Sequence, residues 1–595
     1  MDKNRINIKQ IKERYEALYN EKSKYFSIWD QIAKYCRIEK KNIENTSPET
    51  SGEMLDNELK DPSTLLAISS AANNLYGIII GDGNFFNLNI SDELKEELGD
   101  DTSEAIEYIK QVSKILLREI NKPQANFKSC FLEHLKDQQT FGTSGIGTFI
   151  SNDYISGRSN NVFEFIGFGV DNITIDEGRN GLVDTIFVDY NWRVNKIVKT
   201  FCTEQGVFNQ ELFDDFPDVI KTSFKQKPNE KFNIQLAILQ NDFFKQGVEG
   251  KIGCKYIGVW YFKDINNYVI KVEHYKDLPI NITRVDKARG ELYGRANGTK
   301  LLSYIKMLNY CMADAVETID KMVHPAMGVI DGSLTGDKVI DTSPGSATVL
   351  KLPTGFNSSP IFPLQDVQDP SGLLNILIPY LRENVNTAFN TDILLDNNNQ
   401  TVAKTATEMA QRYAIRSKLL FPIVYKQVND ILIPVINYCI KLLMQLGLIG
   451  QTTLSVADIE NSKAIKIPDI ILEFIREGKD WYKIEFNTEV AKMSKVQELQ
   501  NITEFMQYIG GIASYNPNVL MSVDWYKMIE RVEYLLNNGQ NYLISESEYN
   551  DIMEQIQAQQ MQAQQMQNNL ADSEMAKNYS TSAKQNQEAY NGYIE

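Results

Sequence analysis

Histidine is scarce in this chain of 595 residues, which contains three: His134, His274 and His324. No two of them have the spacing of paired metal ligands. The cysteines are few and dispersed, without a C-x-x-C pair: Cys36, Cys130, Cys202, Cys254, Cys311 and Cys439. This pattern gives no support for a zinc or redox site and is typical of buried thiols in a reducing cytoplasm. We therefore predict no metal and no cofactor.

Sequence signatures of catalysis are also lacking. Gly290–Lys300 is rich in glycine, but Gly298 is followed by Thr-Lys, whereas a phosphate loop needs Gly-Lys-Ser/Thr. A glycine-rich turn into a helix is the better interpretation. Neither G-x-S-x-G nor H-E-x-x-H occurs. With 78 acidic residues, chance proximity of carboxylates is expected, so we assign no catalytic residues and predict that the chain is not an enzyme.

Long apolar runs are absent. The most apolar stretches, Leu75–Ile80 and Ile431–Ile449, are short or interrupted by polar residues, glycine or proline, and neither offers the roughly 18 apolar residues of a membrane span. Residues Met1–Lys9 are polar and unlike a signal peptide. We expect a soluble protein made in the cytoplasm of a cell, without a membrane partner.

The net charge is −17, so a basic surface that grips DNA phosphates broadly is disfavoured. Passage of DNA without tight binding is still compatible with this charge. A hydrophobic content of 43% and the chain length predict a folded protein of three or four domains.

The first part of the chain, residues 7 to about 145, has a helical period throughout. Within it, Asp61-Pro62 predicts a helix start. Between residues 146 and about 280, short β-branched runs separated by turns predict a β-rich domain with a helical insert. The predicted strands are Val162–Ile166, Asn172–Ile175, Thr185–Asp189, Ile234–Leu239, Tyr256–Phe262 and Tyr268–Glu273.

Further along, apolar residues at spacings of three and four predict a long helix over Thr299–His324, ended by Pro325. Met327–Ile330 and Ala347–Leu352 predict a β-hairpin. A second helix is predicted over Pro370–Leu395, with Pro379 kinking it or delaying its start.

The rest of the chain is predicted to be mostly helical. A long helix over Val402–Leu446 contains Pro422 and Pro434 and should be bent. Strands are predicted at Ile465–Phe474 and Ile484–Phe486, helices from Val490 to Asn537, and a Gln-rich helical segment from Ser545.

Several short motifs follow one another in a particular order. They are Trp29–Tyr35, Gly83–Leu88, Phe141–Gly145, Asp176–Asp184, Tyr293–Arg295, Pro344-Gly345, Thr405–Met409 and Leu420–Pro422. In this order, over roughly residues 10–570, the chain resembles the portal (head-to-tail connector) family of short-tailed bacteriophages. The resemblance implies a mainly helical α+β fold assembled as a ring.

The resemblance also implies a domain organisation. In chain order, it implies an N-terminal helical part of the wing (1–145), a β-rich wing domain (146–297), a first stem helix (298–324), a clip (325–369), a second stem helix (370–394), a tunnel loop (395–404), a long bent wing helix with following strands (405–489), crown helices (490–544) and a Gln-rich C-terminal helix, barrel or tail (545–595).

Candidate functional residues follow from the same resemblance. The clip would dock the packaging motor and later the tail adaptor through Asp331, Gly332, Asp337, Lys338, Asp341, Pro344 and Gly345. The channel constriction would be formed by Asp396, Asn397, Asn398, Asn399, Gln400 and Lys404. Pro422 and Pro434 would bend the wing helix. Lys404 is interpreted equally well as a weak DNA contact or as a solvated lysine, and an ordinary inter-helix loop is the alternative for residues 395–404.

The implied function is that of a portal at the capsid vertex of a virion, assembled in the host cytoplasm. Its implied partners are further copies of the chain in a ring of twelve, double-stranded DNA in the channel, a transient terminase motor, a tail adaptor, the major capsid protein and internal core proteins. Ten acidic and six basic residues between Thr299 and Leu395 predict an acidic bore that repels DNA phosphates. The alternatives are a packaging enzyme, disfavoured by the missing phosphate loop, and another oligomeric virion or scaffold protein without a channel.

Overall fold

The computed structural model describes residues 7–40, 60–81, 83–98, 103–204, 207–244, 251–265, 268–324, 327–329, 354, 361–363, 372–389, 420–450, 467–487, 489–515, 523, 525–536, 573–586 and isolated positions between 552 and 565. The chain divides into two compact units, Met1–Ala491 and Lys492–Glu595.

Helices make up most of the regular structure in these residues, as predicted. They are α1 (Ile8–Cys36), α2 (Ser63–Ile79), α3 (Asp92–Leu98), α4 (Ser103–Ile120), α5 (Phe127–Phe141), α6 (Asn152–Ile155), α7 (Val194–Phe201), α8 (Gln210–Asp214), α9 (Asp218–Gln226), α10 (Asn297–Lys300), α11 (Leu302–Val323), α12 (Ile378–Ala388), α13 (Ile433–Gln445), α14 (Asp469–Glu477), α15 (Glu489–Ala513) and α16 (Trp525–Leu536). Short 3₁₀ turns occur at Ile38–Lys40, Pro123–Ala125 and Lys251–Gly253.

The strands form antiparallel sheets, so the predicted α+β class is confirmed. They are β1 (Phe86–Ile90), β2 (Thr143–Ile150), β3 (Phe163–Gly169), β4 (Ile173–Glu177), β5 (Val183–Arg193), β6 (Thr203–Glu204), β7 (Val207–Phe208), β8 (Lys231–Gln240), β9 (Tyr256–Phe262), β10 (Val269–Tyr275), β11 (Ile280–Arg284), β12 (Met327–Val329), β13 (Ile361–Pro363) and β14 (Tyr482–Phe486). Among the described residues, the largest sheet has the order β10-β9-β8-β5-β4, and a second has the order β11-β2-β3.

The five-stranded sheet is covered on both faces. Because side chains alternate along a strand, Phe187 of β5 packs beneath the first half of α1, where Ile11 and Tyr15 are buried. Its neighbours Ile186 and Val188 belong to the core on the other face. Burial of apolar side chains on both faces fixes the register of these strands, since a slip by one residue would exchange the two faces.

A second core lies among α2, α4, α5 and α13. Phe85, Phe127 and Phe131 stack in series there, with ring centroids 5.7 and 5.8 Å apart. The same core includes β1, which pairs with β14 across nearly 400 residues of sequence, Phe86 opposite Phe486. The strand β1 therefore lies within residues 7 to about 145, where we predicted helices and no strand.

Three other predictions need correction. The predicted strand Ile465–Phe474 is wrong at its C-terminal end, because α14 begins at Asp469, directly after Pro468. The β-branched isoleucines there suggested a strand, but Ile471 and Phe474, three residues apart, are the buried residues of a helix.

The partner of β12 is Ile361–Pro363, whereas the strand predicted at 347–352 lies outside the described residues. Helix α2 begins at Ser63, and Asp61 accepts a hydrogen bond from its backbone N–H at 2.8 Å.

Two glycine turns from distant motifs meet at the junction of α5 and β2. Gly142 ends α5 with a φ of 84°, a conformation that favours glycine. The backbone N–H of Val285 donates to the carbonyl of Gly142 at 2.8 Å, and that of Gly294 donates to Thr143 Oγ1 at 2.8 Å. This contact joins the second sheet to the turn that leads into α10 and α11.

In the second unit, Arg531 of α16 binds Glu498 of α15 through two hydrogen bonds of 2.8 and 3.0 Å. Residues 573–586 are helical.

Candidate functional site

The candidate site is the helix pair α11–α12, which corresponds to the predicted stem helices. The helix predicted over Thr299–His324 is present as α10 and α11, with a break at Leu301. Leu308 and Ala315 of α11 pack against Ile378 and Leu381 of α12. Apolar residues at spacings of three and four on both helices form this seam.

The base of the pair is held by side chains that sequence reasoning did not assign to it. Asn309 of α11 accepts hydrogen bonds through Oδ1 from the backbone N–H groups of Lys60 and Asp61, at 2.7 and 3.3 Å. The carboxylate of Asp61 in turn accepts from Nε and Nη2 of Arg382 on α12, at 3.0 and 2.5 Å. The segment before α2 therefore ties both helices to the body of the first unit.

Two further contacts close the base. Asn297 donates through Nδ2 to the carbonyl of Ala388 at 2.7 Å, which joins the start of α10 to the end of α12. Lys306 donates to Gln31 Oε1 of α1 at 2.5 Å. These polar contacts fix the orientation of the α11–α12 pair relative to α1 and α10, because each has a defined donor and acceptor geometry.

Helix α11 presents an acidic side to solvent. Asp314, Glu317 and Asp320 are exposed and spaced by three residues. With about 3.6 residues per turn, they lie roughly opposite the side that carries Leu308 and Ala315. Lys321 pairs with Glu317 at 2.7 Å, and the hydrogen bond and the positive charge of this lysine lower the pKa of Glu317.

Large apolar side chains are exposed on both flanks of this acidic side. Tyr304 and Met307 lie towards one flank, and Val316 and Val323 towards the other. Exposed apolar side chains also occur on α12 (Tyr380), in the turn directly before it (Ile376) and in the helical residues 420–427 (Phe421 and Tyr425). Single exposed apolar residues need no explanation, but several on one helix are typical of a surface that packs against a partner.

Prolines follow π-helical turns at two places. The π-turn Leu373–Leu377 leads into α12 with Pro379 in its first turn, and the π-turn Val428–Leu432 leads into α13 with Pro434 in its first turn. Proline has no N–H and its ring clashes with the carbonyl four residues earlier, and a wider turn before it relieves this clash. Pro422 lies in the helical residues 420–427 and is exposed.

The other predicted site residues lie outside the described residues. These are the clip residues Asp331, Gly332, Asp337, Lys338, Asp341, Pro344 and Gly345, and the loop residues Asp396, Asn397, Asn398, Asn399, Gln400 and Lys404.

One buried cluster has the residue types of a hydrolase site. His134 Nδ1 lies 2.9 Å from Ser144 Oγ, and its Nε2 lies 2.9 Å from Gln427 Oε1. Burial lowers the pKa of His134 to about 4 despite the hydrogen bond to Gln427 and the charge of Asp430. Both His134 and Ser144 are buried, so a substrate has no access to them. The cluster joins α5 to the helix before α13 and is structural.

No metal centre or membrane span emerges from the described part of the chain. There, no group of three His, Cys, Asp or Glu side chains converges as metal ligands would. Likewise, none of the described helices combines the length and apolar character needed to cross a bilayer.

Comparison with known proteins gives a family match. The model of the family described as bacteriophage head to tail connecting protein matches residues 8–543. A search of the curated proteins finds no match.

Two solved structures show a distant likeness. A chain from the virion of a native gene transfer agent particle is 10% identical, with a TM-score of 0.32, and the alignment covers 75% of this chain and 86% of that chain. A chain from the neck of an empty gene transfer agent particle computed with C6 symmetry is 10% identical, with a TM-score of 0.33 and coverage of 77% and 90%. At these TM-scores the likeness carries no conclusion about function.

Proposed function

Because the chain belongs to the bacteriophage head to tail connecting protein family, and so has a structural role in joining head and tail of a phage particle, we propose that it is the portal subunit. In this proposal, copies of the chain form a ring of twelve at one vertex of the capsid. Double-stranded DNA enters through the ring during packaging and leaves through it during ejection. The chain itself has no catalytic role.

The observation that carries the proposal is the division of α11 into sides of different chemistry. A helix in the wall of a ring has its own partner behind it, a neighbouring subunit on each flank and the channel in front. Helix α11 has an apolar seam with α12 and apolar residues on both flanks, and its remaining side carries three carboxylates together with Tyr310 and Lys321. This distribution fits a closed assembly in which each flank buries apolar surface against the next copy.

The acidic side of α11 would then face the DNA. Carboxylates repel phosphates, and a ring repeats each carboxylate once per subunit. The duplex would therefore pass without adhering to the wall. We expect this effect to weaken as salt is added, since exposed charges are screened over about 8 Å at physiological ionic strength.

The remaining roles rest on the clip residues 331–345 and the loop residues 396–404. We propose that the clip docks the terminase motor during packaging and the tail adaptor afterwards, and that the loop forms the constriction. The major capsid protein and internal core proteins would contact other parts of the ring, which would assemble in the host cytoplasm.

Electron microscopy of the purified full chain tests this proposal. We expect end-on views of rings with near twelvefold symmetry and a hole of duplex width, which is about 20 Å. Compact oligomers without a hole would instead indicate a scaffold protein, and ATP turnover by the purified protein would indicate a packaging enzyme.

A matched pair of variants tests the role of the flanks. Met307→Glu/Val323→Glu places charge on both flanks of α11 and should abolish rings while leaving a folded subunit. Leu182→Glu alters an exposed apolar residue in a turn between β4 and β5 and should leave rings intact. Rings of normal abundance in the double variant would contradict the proposed interface.

A further inference from the structure

A basic cleft lies beside the five-stranded sheet, and no residue of α11 or α12 lines it. It consists of two adjoining cavities of about 450 and 840 Å³ that share Asn152, Ile155, Lys196 and Thr200 in their linings. Helix α7 forms the ridge between them, and α13 closes one side of the smaller cavity. Cavities of this size hold a small ligand or a few residues of a peptide.

Four exposed cations line this cleft without a carboxylate partner. They are Arg193, Lys196, Lys199 and Lys276. Within the part of the chain that the structure describes, none of the four forms an ion pair. Two other cations of the lining are paired: Lys271 lies 2.8 Å from Glu273, and Lys441 binds Asp277. The carboxylates Asp153 and Glu164 offset part of the positive charge.

This concentration of unpaired cations stands out because the chain as a whole carries a charge of −17. Three of the four lie three residues apart in sequence: Arg193 directly before α7, and Lys196 and Lys199 within it. Clustered cations that repel one another cost free energy in the unbound protein. An anionic ligand would relieve that repulsion, so the charge points to an acidic partner.

Aromatic side chains form the wall of the smaller cavity, and their arrangement narrows the class of partner. Tyr190 and Trp260 stack at 5.4 Å with an interplanar angle of 24°. Lys196 Nζ lies 4.3 Å from the ring centroid of Trp192. The ring of Phe201 also stacks on Trp192, with 6.3 Å between the centroids and an interplanar angle of 28°. One face of each of these rings is thus covered by another ring or by a lysine. Nucleobases bind such walls by stacking on ring faces, and mutual stacking of the rings leaves less of that surface here, whereas aliphatic side chains of a peptide can pack against any apolar part of the wall.

The wall is also fixed in place. Glu273 accepts hydrogen bonds from Trp260 Nε1 at 2.9 Å and from the hydroxyl of Tyr275. Because one indole N–H and one phenol O–H donate to the same carboxylate, the two rings are held in one orientation and the cleft is preformed. A preformed site loses less conformational entropy on binding than one that must order itself.

We propose that this cleft binds an acidic, extended peptide segment of another protein of the particle. Carboxylates of the peptide would pair with Arg193, Lys196, Lys199 and Lys276, and its apolar side chains would lie against the aromatic wall. The cleft uses no residue of α11 or α12, so the variants that test the proposed ring interface leave its lining unchanged.

Fluorescence anisotropy with the full chain tests the assignment. The probe is a labelled synthetic peptide of alternating glutamate and leucine, and a peptide with serine in place of glutamate is its control. We expect the acidic peptide to bind, the serine peptide not to bind, and added salt to weaken binding. Lys196→Glu/Lys199→Glu should weaken binding at least about ten-fold, as charge reversal in a complementary interface does.

Two controls keep the test decisive. Lys9→Glu/Lys24→Glu makes the same change of charge at exposed positions of α1 and should bind the peptide like the wild type. The milder Lys276→Gln should weaken binding without a reversed charge, in case the double variant does not fold. Equal binding of the acidic peptide by all variants would overturn the assignment. It would also be overturned if a labelled oligothymidylate bound the wild type more tightly than the peptide does and failed to bind Lys196→Glu/Lys199→Glu.

Discussion

Asp61 and Arg382 form an ion pair of which one partner is fully buried. The side chain of Asp61 is 1% exposed and that of Arg382 is 41% exposed, with 2.5 Å between Oδ2 and Nη2. Asp61 also accepts the backbone N–H of Ser63, the first residue of α2. One carboxylate therefore connects the start of α2 to α12, the helix that packs behind the proposed channel helix α11.

Removal of the guanidinium should destabilise this junction. In Arg382→Met, the Asp61 carboxylate stays buried but loses its cation, and an uncompensated buried charge costs about 3 kcal/mol or more. Since Arg382 is partly exposed to solvent, we expect a loss of about 2 kcal/mol in the free energy of unfolding. Chemical denaturation measures it. Arg295→Met, which breaks an exposed pair with Glu291 one turn away, is the control and should have little effect.

Close approach of two backbones at Gly142 and Gly294 gives a second prediction. A Cβ at position 294 would lie 2.5 Å from the carbonyl oxygen of Val285 and 2.7 Å from its nitrogen. Backbone atoms cannot move aside cheaply, so Gly294→Ala should lower the free energy of unfolding by about 3 kcal/mol or more.

The control for this variant is Gly77→Ala. Gly77 lies in α2, and a Cβ there would meet nothing within 4 Å. Alanine is favoured over glycine in a helix by up to about 1 kcal/mol, so this variant should be slightly stabilised. Equal melting temperatures of Gly294→Ala and the wild type would show that the two turns can separate.

Much of the architecture could be predicted because its signals are local. The spacing of Leu308, Met312 and Ala315 predicts α11, and the aromatic-rich apolar run Tyr256–Phe262 predicts β9 with the bounds it has. The pairing of β1 with β14 could not be predicted, because no local pattern links Phe86 to Phe486. The same holds for the candidate site, since Asp61 has the sequence pattern of a helix cap and its ion pair with Arg382 exists only in the folded chain.

A buried lysine gives a prediction about alkaline pH. The side chain of Lys22 is 1% exposed, and within the described residues no carboxylate lies at ion-pair distance from it. Burial lowers its pKa to about 8, although Asp189 and Asp171 oppose the shift. Below pH 8 the charged ammonium of Lys22 is buried in the folded protein, which lowers the free energy of unfolding. Between about pH 8 and 10.5 Lys22 is neutral in the folded protein but still protonated in the unfolded chain, so this loss of stability becomes smaller as the pH rises.

The variant Lys22→Met removes that cost. It should be more stable than the wild type by about 1–3 kcal/mol at pH 7, and the difference should shrink as the pH rises above 8. Lys24→Met, at an exposed position of the same helix, should show neither effect. Thermal unfolding of the three proteins at pH 7 and pH 9.5 measures this, and a difference that stays constant with pH would contradict a neutralised Lys22 in the folded state.

The bond between His134 and Gln427 gives the last prediction, at acidic pH. The pKa of His134 is lowered by burial to about 4, against an ordinary value of about 6.5. Above pH 6.5 the imidazole is neutral in both states and does not affect stability. As the pH falls from 6.5 to 4, the unfolded chain takes up a proton that the folded protein excludes, so up to about 3 kcal/mol of stability is lost in that window.

The variant His134→Gln cannot take up this proton. It should be less stable than the wild type at pH 7.5, because it loses hydrogen bonds to Ser144 or Gln427, but its stability should fall less steeply between pH 6.5 and 4. The exposed His324→Gln should keep the wild-type profile, which separates a buried titration from the general effect of acid on carboxylates. Parallel profiles of wild type and His134→Gln would mean that His134 is protonated in the folded protein, in which case Gln427 Oε1 accepts from an imidazolium and the buried cluster carries a charge.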